Sequence, residues 1–91
     1  MTRVIEFKDK VVVITGAGGV LCGYLAKEFA KAGAKVALLD LNEAAAQVFV
    51  NGIAAAGGVA KAYKSNVLSK ENLEEVRQQV LADFGPVDIL I

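Results

Sequence analysis

Gly16, Gly18 and Gly19 follow directly on the run Val-Val-Val-Ile-Thr, and an acid, Asp40, closes the next aliphatic run 24 residues after Gly16. A strand that hands over to a helix through glycines leaves unpaired backbone N–H groups converging on one spot. The helix dipole adds positive potential there, an arrangement suited to a pyrophosphate. Asp40 stands close to the roughly 20-residue offset at which an acid at the end of a second strand meets the ribose hydroxyls of NAD. A charged hydrogen bond of that kind contributes about 1.5–3 kcal/mol, while the same carboxylate would repel a 2′-phosphate. No Lys or Arg lies in the glycine loop or directly after Asp40, so NAD is expected rather than NADP. The spacing GxGxxG is incomplete: Gly16 and Gly18 fit, but the third position is Leu21. Gly16 to Gly19 would also serve as a plain strand-to-helix turn, and Asp40 as a strand-end residue.

The elements that would position these groups alternate β-branched runs with alanine-rich or charged helical stretches, the pattern of βαβ units and a parallel sheet. A first strand is expected over Lys10 to Thr15, buried on both faces. Leu21, Leu25 and Phe29 then form one stripe of a helix ending near Gly33. A second strand is expected over Lys35 to Asp40, followed by a helix capped by Asn42 that carries Ala45, Val48, Val50, Ile53 and Ala56 on mixed apolar faces. Val59 to Lys64 reads as a third strand. Ser69 caps a helix with Leu73, Val76, Val80 and Phe84 inward, stopped by Gly85 and Pro86, and Val87 to Ile91 opens a fourth strand. The fold class is therefore α/β, the first βαβαβαβ portion of a Rossmann-type doubly wound parallel sheet. The last strand stops in the middle of an apolar run, so residues 1–91 are expected to be the N-terminal part of a single NAD-binding domain continuing beyond Ile91.

Ten basic and ten acidic side chains cancel, without any block of like charge. A small-molecule ligand is thus expected, and neither nucleic acid nor a membrane surface as partner. The chain has no histidine and one cysteine, which excludes a Cys/His zinc site and a Ser-His-Asp triad within it. Cys22 reads as a small packing residue. The start, "MTRVIEFKDK", is too charged for a signal peptide, and a cytoplasmic setting is the expectation. Neither Tyr24 nor Tyr63 is followed by lysine four positions later, and both read as structural.

The combination of "FKDKVVVITGAGG", Asp40 after "VALL", "SNV" after the third strand and "FGPVDILI" at the end resembles the short-chain dehydrogenase/reductase family over the whole chain. The family's TGxxxGxG motif is opened by Thr15 and Gly16, whereas Val20 and Cys22 stand where it has glycines and Gly23 comes one place late. The resemblance implies that Gly16, Gly19, Val20 and Leu21 surround the cofactor phosphates and ribose, and that Asp40 holds the adenosine ribose. Asn66 and Val67 would flank the adenine, Asn66 standing where the family more often has Asp; Asn66 would equally shape a strand-end turn. The family's catalytic serine and YxxxK pair have no counterpart in these residues, so no catalytic residue is assigned. "TGAGGVLCG" is further similar to bacterial sugar-acid oxidoreductases of the mannonate/fructuronate type. The family also implies a homo-oligomer, tetramer or dimer. A non-catalytic NAD-binding or sensing domain is the rival from another class. A methyltransferase would place an acid before the glycine loop, where Thr15 stands, and a P-loop NTPase would need Gly-Lys-Ser/Thr after it.

Overall fold

Four consecutive β-branched residues can be buried on both faces only in the middle of a sheet, and that is where the first run lies. The structure, a computed structural model, describes residues 7–16, 19–66 and 68–91. Its elements are β1 (Val11–Thr15), α1 (Val20–Lys31), β2 (Lys35–Asp40), α2 (Glu43–Ala55), β3 (Val59–Lys64), α3 (Lys70–Phe84) and β4 (Ile89–Leu90). The strands form one parallel sheet in the order β3-β2-β1-β4.

Alternation of side chains along each strand divides the core. Val12, Ile14, Val36, Leu38 and Ala62 face α1 and α2, where they meet Ala26, Ala46, Val50 and Ile53. Val11, Val13, Ala37, Leu39 and Tyr63 face α3 and pack on Val76 and Val80. The chain steps outward from β1 to β3, and α3 then carries it back across the other face to the far side of β1. The order of the strands therefore reverses between β1 and β4, and a crevice at their carboxyl ends is the usual ligand position in such sheets.

The expected elements are all present, with three differences. In α1 the buried residues are Gly23 and Ala26, while Leu21 is 73% exposed. The helix comes so close to α2 that a Cβ at Gly23 would overlap the Phe49 ring, so small residues make the contact and Leu21 is turned away. Leu25 and Phe29 of the expected stripe do pack on the core. In α2 the inward face is Ala46, Val50 and Ile53. Val48, two positions from both Ala46 and Val50, falls on the opposite side and is exposed. The ladder of β4 is shorter than Val87 to Ile91, because the Val11 N–H donates to Asp88 Oδ2 at 2.9 Å rather than to a backbone carbonyl, while the Asp88 N–H donates to the Val11 carbonyl at 2.9 Å. Beyond it, Ile91 still donates to the Val13 carbonyl at 2.8 Å.

Among the described residues no helix is long and apolar enough to cross a membrane.

Candidate nucleotide-binding cleft

At the carboxyl end of β1 the chain turns through Gly16, whose φ of +68° is a left-handed conformation that glycine adopts without strain. The Gly16 carbonyl accepts the Gly19 N–H at 3.1 Å, and Gly19, in an extended conformation, leads into α1 at Val20. No side chain caps this helix, and its first turn holds no acid. The leading N–H groups of a helix have no partner within it, so Val20 and Leu21 present donors and positive potential beside Gly16. Val20 is 85% exposed; its Cβ, where the family has glycine, stands in the open and leaves the backbone donor intact. Thr15 ties this end of β1 to the chain after β4, its N–H and its Oγ1 both donating to the Ile91 carbonyl, at 3.0 and 3.1 Å.

Asp40 ends β2 beside it, half-buried, with Oδ1 accepting the Asn42 N–H at 2.8 Å. That bond orients the carboxylate, whose two oxygens together offer about four acceptor positions. The Asp40 carbonyl accepts the Ser65 N–H at 3.0 Å, which holds the end of β3 level with the end of β2. Between these strand ends lies a cleft of about 440 Å³ lined by Gly16, Asp40, Ser65 and Asn66 together with Leu39, Leu41 and Leu68.

Of the residues expected at a site, Gly16, Asp40 and Asn66 thus meet in one cleft, while Gly19, Val20 and Leu21 stand at the adjoining start of α1. Val67, like Gly18 of the glycine cluster, lies outside the described residues. Asn66 shapes a turn: its Oδ1 accepts the Leu68 N–H at 2.9 Å, and its own N–H donates to Asn72 Oδ1 at 2.5 Å. The carboxamide oxygen expected to meet an adenine amine is therefore already engaged, and the two N–H donors of the amide remain on the side chain.

Sequence reasoning missed Ser65, Leu41 and Leu68. The two leucines carried a readable signal, being large apolar residues one and two positions after Asp40 and Asn66, in loops that would otherwise be polar. Ser65 carried none, because its burial at 2% exposure depends on three strands coming together.

A second polar cluster lies away from the cleft. The Tyr63 hydroxyl donates to Asp83 Oδ2 at 2.7 Å, and Lys61 Nζ reaches the same oxygen at 2.9 Å, which clasps β3 to α3. Burial, and then the bond to Asp83, pushes the Tyr63 hydroxyl pKa up, while the bond from Tyr63 and that from Lys61 hold the Asp83 carboxyl below the usual range. The Tyr63 hydroxyl thus joins β3 to α3 away from the cleft, and Tyr24 is exposed on α1. Cys22 is half-buried against the core beneath α1 and α2. No three His, Cys, Asp or Glu side chains among the described residues group to hold a metal.

A parallel sheet with a glycine turn, an uncapped helix start and an acid at the end of the second strand defines a nucleotide-binding α/β protein. Residues 10–91 match the short chain dehydrogenase family, and the chain belongs to it. It is 56% identical over 86 residues to an uncharacterized oxidoreductase of Haemophilus influenzae, covering 94% of this chain and 30% of that protein. With the uncharacterized oxidoreductase UxuB of Bacillus subtilis the identity is 45% over 82 residues, covering 90% of this chain and 30% of that protein. Among solved structures, one from Haemophilus influenzae, provisionally assigned as a D-mannonate oxidoreductase and holding NAD, superposes with a TM-score of 0.91 at 52% identity, over 96% of this chain and 32% of that one. An NAD-bound xylitol dehydrogenase superposes with a TM-score of 0.89 at 34% identity, over 93% of this chain and 33% of that one. The chain thus spans about a third of the length of these relatives.

Proposed function

We propose that this chain is the cofactor-binding part of an NAD-dependent oxidoreductase that moves hydride between nicotinamide and a carbonyl or secondary alcohol, a sugar acid of the mannonate/fructuronate kind being the substrate. The observation that carries the reading is the meeting of Gly16, Asp40 and Asn66 in one cleft at the carboxyl ends of β1, β2 and β3, beside a helix start with no cap of its own. The residues fit the cofactor. The turn at Gly16 and the first N–H groups of α1 would hold the pyrophosphate, Asp40 the adenosine ribose, and the leucine-lined wall the adenine. Bound NAD would supply the hydride acceptor; the residues described here bind and orient it and leave the substrate chemistry to other groups. The NAD held by the Haemophilus structure, and its provisional assignment to D-mannonate, support the cofactor and the substrate class. A homo-oligomer in the cytoplasm is the proposed setting.

Titration calorimetry with NAD and NADP tests the cofactor. NAD is expected to bind at least tenfold more tightly, because a 2′-phosphate would meet the Asp40 carboxylate; equal affinities would sink the assignment. Oxidation of NADH followed against keto sugar acids, and against keto sugars without the carboxylate, tests the substrate class.

A further inference from the structure

Ser65 occupies a position that its polarity does not explain. It is 2% exposed, and its Oγ is the one buried side-chain polar atom among the described residues with no hydrogen-bond partner. Buried hydroxyls are almost always paired, and an unpaired one destabilises the fold that contains it. Ser65 is one of the residues lining the cleft that also holds Gly16 and Asp40. Its backbone N–H, bonded to the Asp40 carbonyl at 3.0 Å, keeps it level with the end of β2.

The groups around it narrow down what would pair with it. Asp40 Oδ1 is engaged by the Asn42 N–H and Asn66 Oδ1 by the Leu68 N–H. The rest of the cleft's lining includes Leu39, Leu41 and Leu68, a surface that suits the flat face of a base rather than a phosphate or a sugar. A hydroxyl both donates and accepts, and so matches the mixed edge of a purine, directly or through one water.

We infer that the Ser65 hydroxyl is a positioning group for the adenine of the dinucleotide, left unpaired in the free protein and satisfied when the base enters. This rests on the reading that NAD occupies the cleft. The consequence is a crossed effect. Removing the hydroxyl relieves an unpaired group in the free protein and removes a partner in the complex, so stability and affinity move in opposite directions. A residue that merely shapes the strand end would move both the same way.

The experiment measures the melting temperature of the ligand-free protein, and calorimetric Kd values for NAD and AMP, in the parent and in the Ser65→Ala, Ser65→Cys and Asp40→Ala variants. Ser65→Cys fills the site with a slightly larger thiol that is a much weaker hydrogen-bond partner, and gives the same comparison if Ser65→Ala packs poorly. The expected result is an unchanged or higher melting temperature for the Ser65 variants, with Kd for both NAD and AMP raised about three- to tenfold. Unchanged Kd values in both Ser65 variants, with Asp40→Ala weakened, would overturn the role of Ser65 and leave the cleft reading standing. A lower melting temperature together with weaker binding in both Ser65 variants would make the residue structural and overturn the inference as well. If Asp40→Ala binds NAD as the parent does, or the parent binds none, the cleft reading fails and the role of Ser65 with it.

Discussion

The N-terminus of α1 differs from those of α2 and α3. At α2, Asn42 Oδ1 accepts the Ala45 N–H at 3.1 Å and Glu43 lies in the first turn. At α3, Ser69 Oγ accepts the Asn72 N–H at 3.1 Å and Glu71 lies in the first turn. Each of those helices satisfies one of its free donors and balances its dipole with its own residues. At α1 a glycine stands in the cap position, no acid follows, and the next two side chains are Val20 and Leu21, both largely exposed. Two helices have a side-chain cap and an acid in the first turn, and the third has neither. Its start adjoins Gly16, which lines the cleft.

The largest effect is expected from disturbing how α1 is seated. Gly23→Ala would drive a methyl group into the Phe49 ring. Overpacking costs about 1–3 kcal/mol, against which alanine returns up to about 1 kcal/mol of helix propensity. Denaturant unfolding should show a net loss of about 1–2 kcal/mol, largely recovered in the double variant with Phe49→Leu. Independent, additive effects in that double-mutant cycle would show that the contact does not set the helix position.

Val20→Asp gives α1 the acid that α2 and α3 already have. The site is exposed, so no packing is lost, and the helix should gain about 0.3–1 kcal/mol at low salt. NAD affinity should nevertheless fall about tenfold, since a carboxylate near the pyrophosphate is repelled by of order 1 kcal/mol or more. A rise in melting temperature with unchanged Kd would break the contrast between the helices. Ser69→Ala is the converse: it opens α3, costs about 1 kcal/mol of stability, and should change the NAD Kd less than Val20→Asp does, because it adds no charge beside Gly16.

The smallest effect belongs to the clasp on the far side of β3. The folded-state pKa of Asp83 is held low, first by the Tyr63 hydroxyl and then by Lys61. Its contribution is present above the ordinary carboxylate range and lost as pH falls through the lowered value. Tyr63 shifts the other way, so its contribution is complete below about pH 10 and lost as pH rises beyond it. Melting curves of Asp83→Asn and the parent should differ modestly near neutral pH and converge in acid, with NAD binding unaffected. A constant gap down to low pH would remove the clasp from the account.

Much of this arrangement was legible in the chain. The run from Val11 to Ile14 announces a central strand, Asn42 and Ser69 announce the capped starts of α2 and α3, and Gly16 with Asp40 announces the strand ends that share a cleft. Each is a local matter of β-branching, side-chain caps or a turn that only glycine makes easily. The burial face of α1 was not legible, because the hydrophobic period favours Leu21 while the close approach of Phe49 selects Gly23. Nor was the inner structure of the cleft: Asn66 Oδ1 accepts the Leu68 N–H, and Ser65, at the end of β3, is buried in the lining shared with Gly16 and Asp40.

The sequence by itself determined the alternation of strands and helices, the caps of α2 and α3, and the glycine turn and acid at the ends of β1 and β2, since these depend on neighbours within a few residues. Only the tertiary structure decided which faces are buried, which donors stay open and which hydroxyl goes unpaired. Those outcomes depend on how the ends of β1, β2 and β3 converge, and convergence of segments some 25 residues apart is set by packing rather than by any local preference.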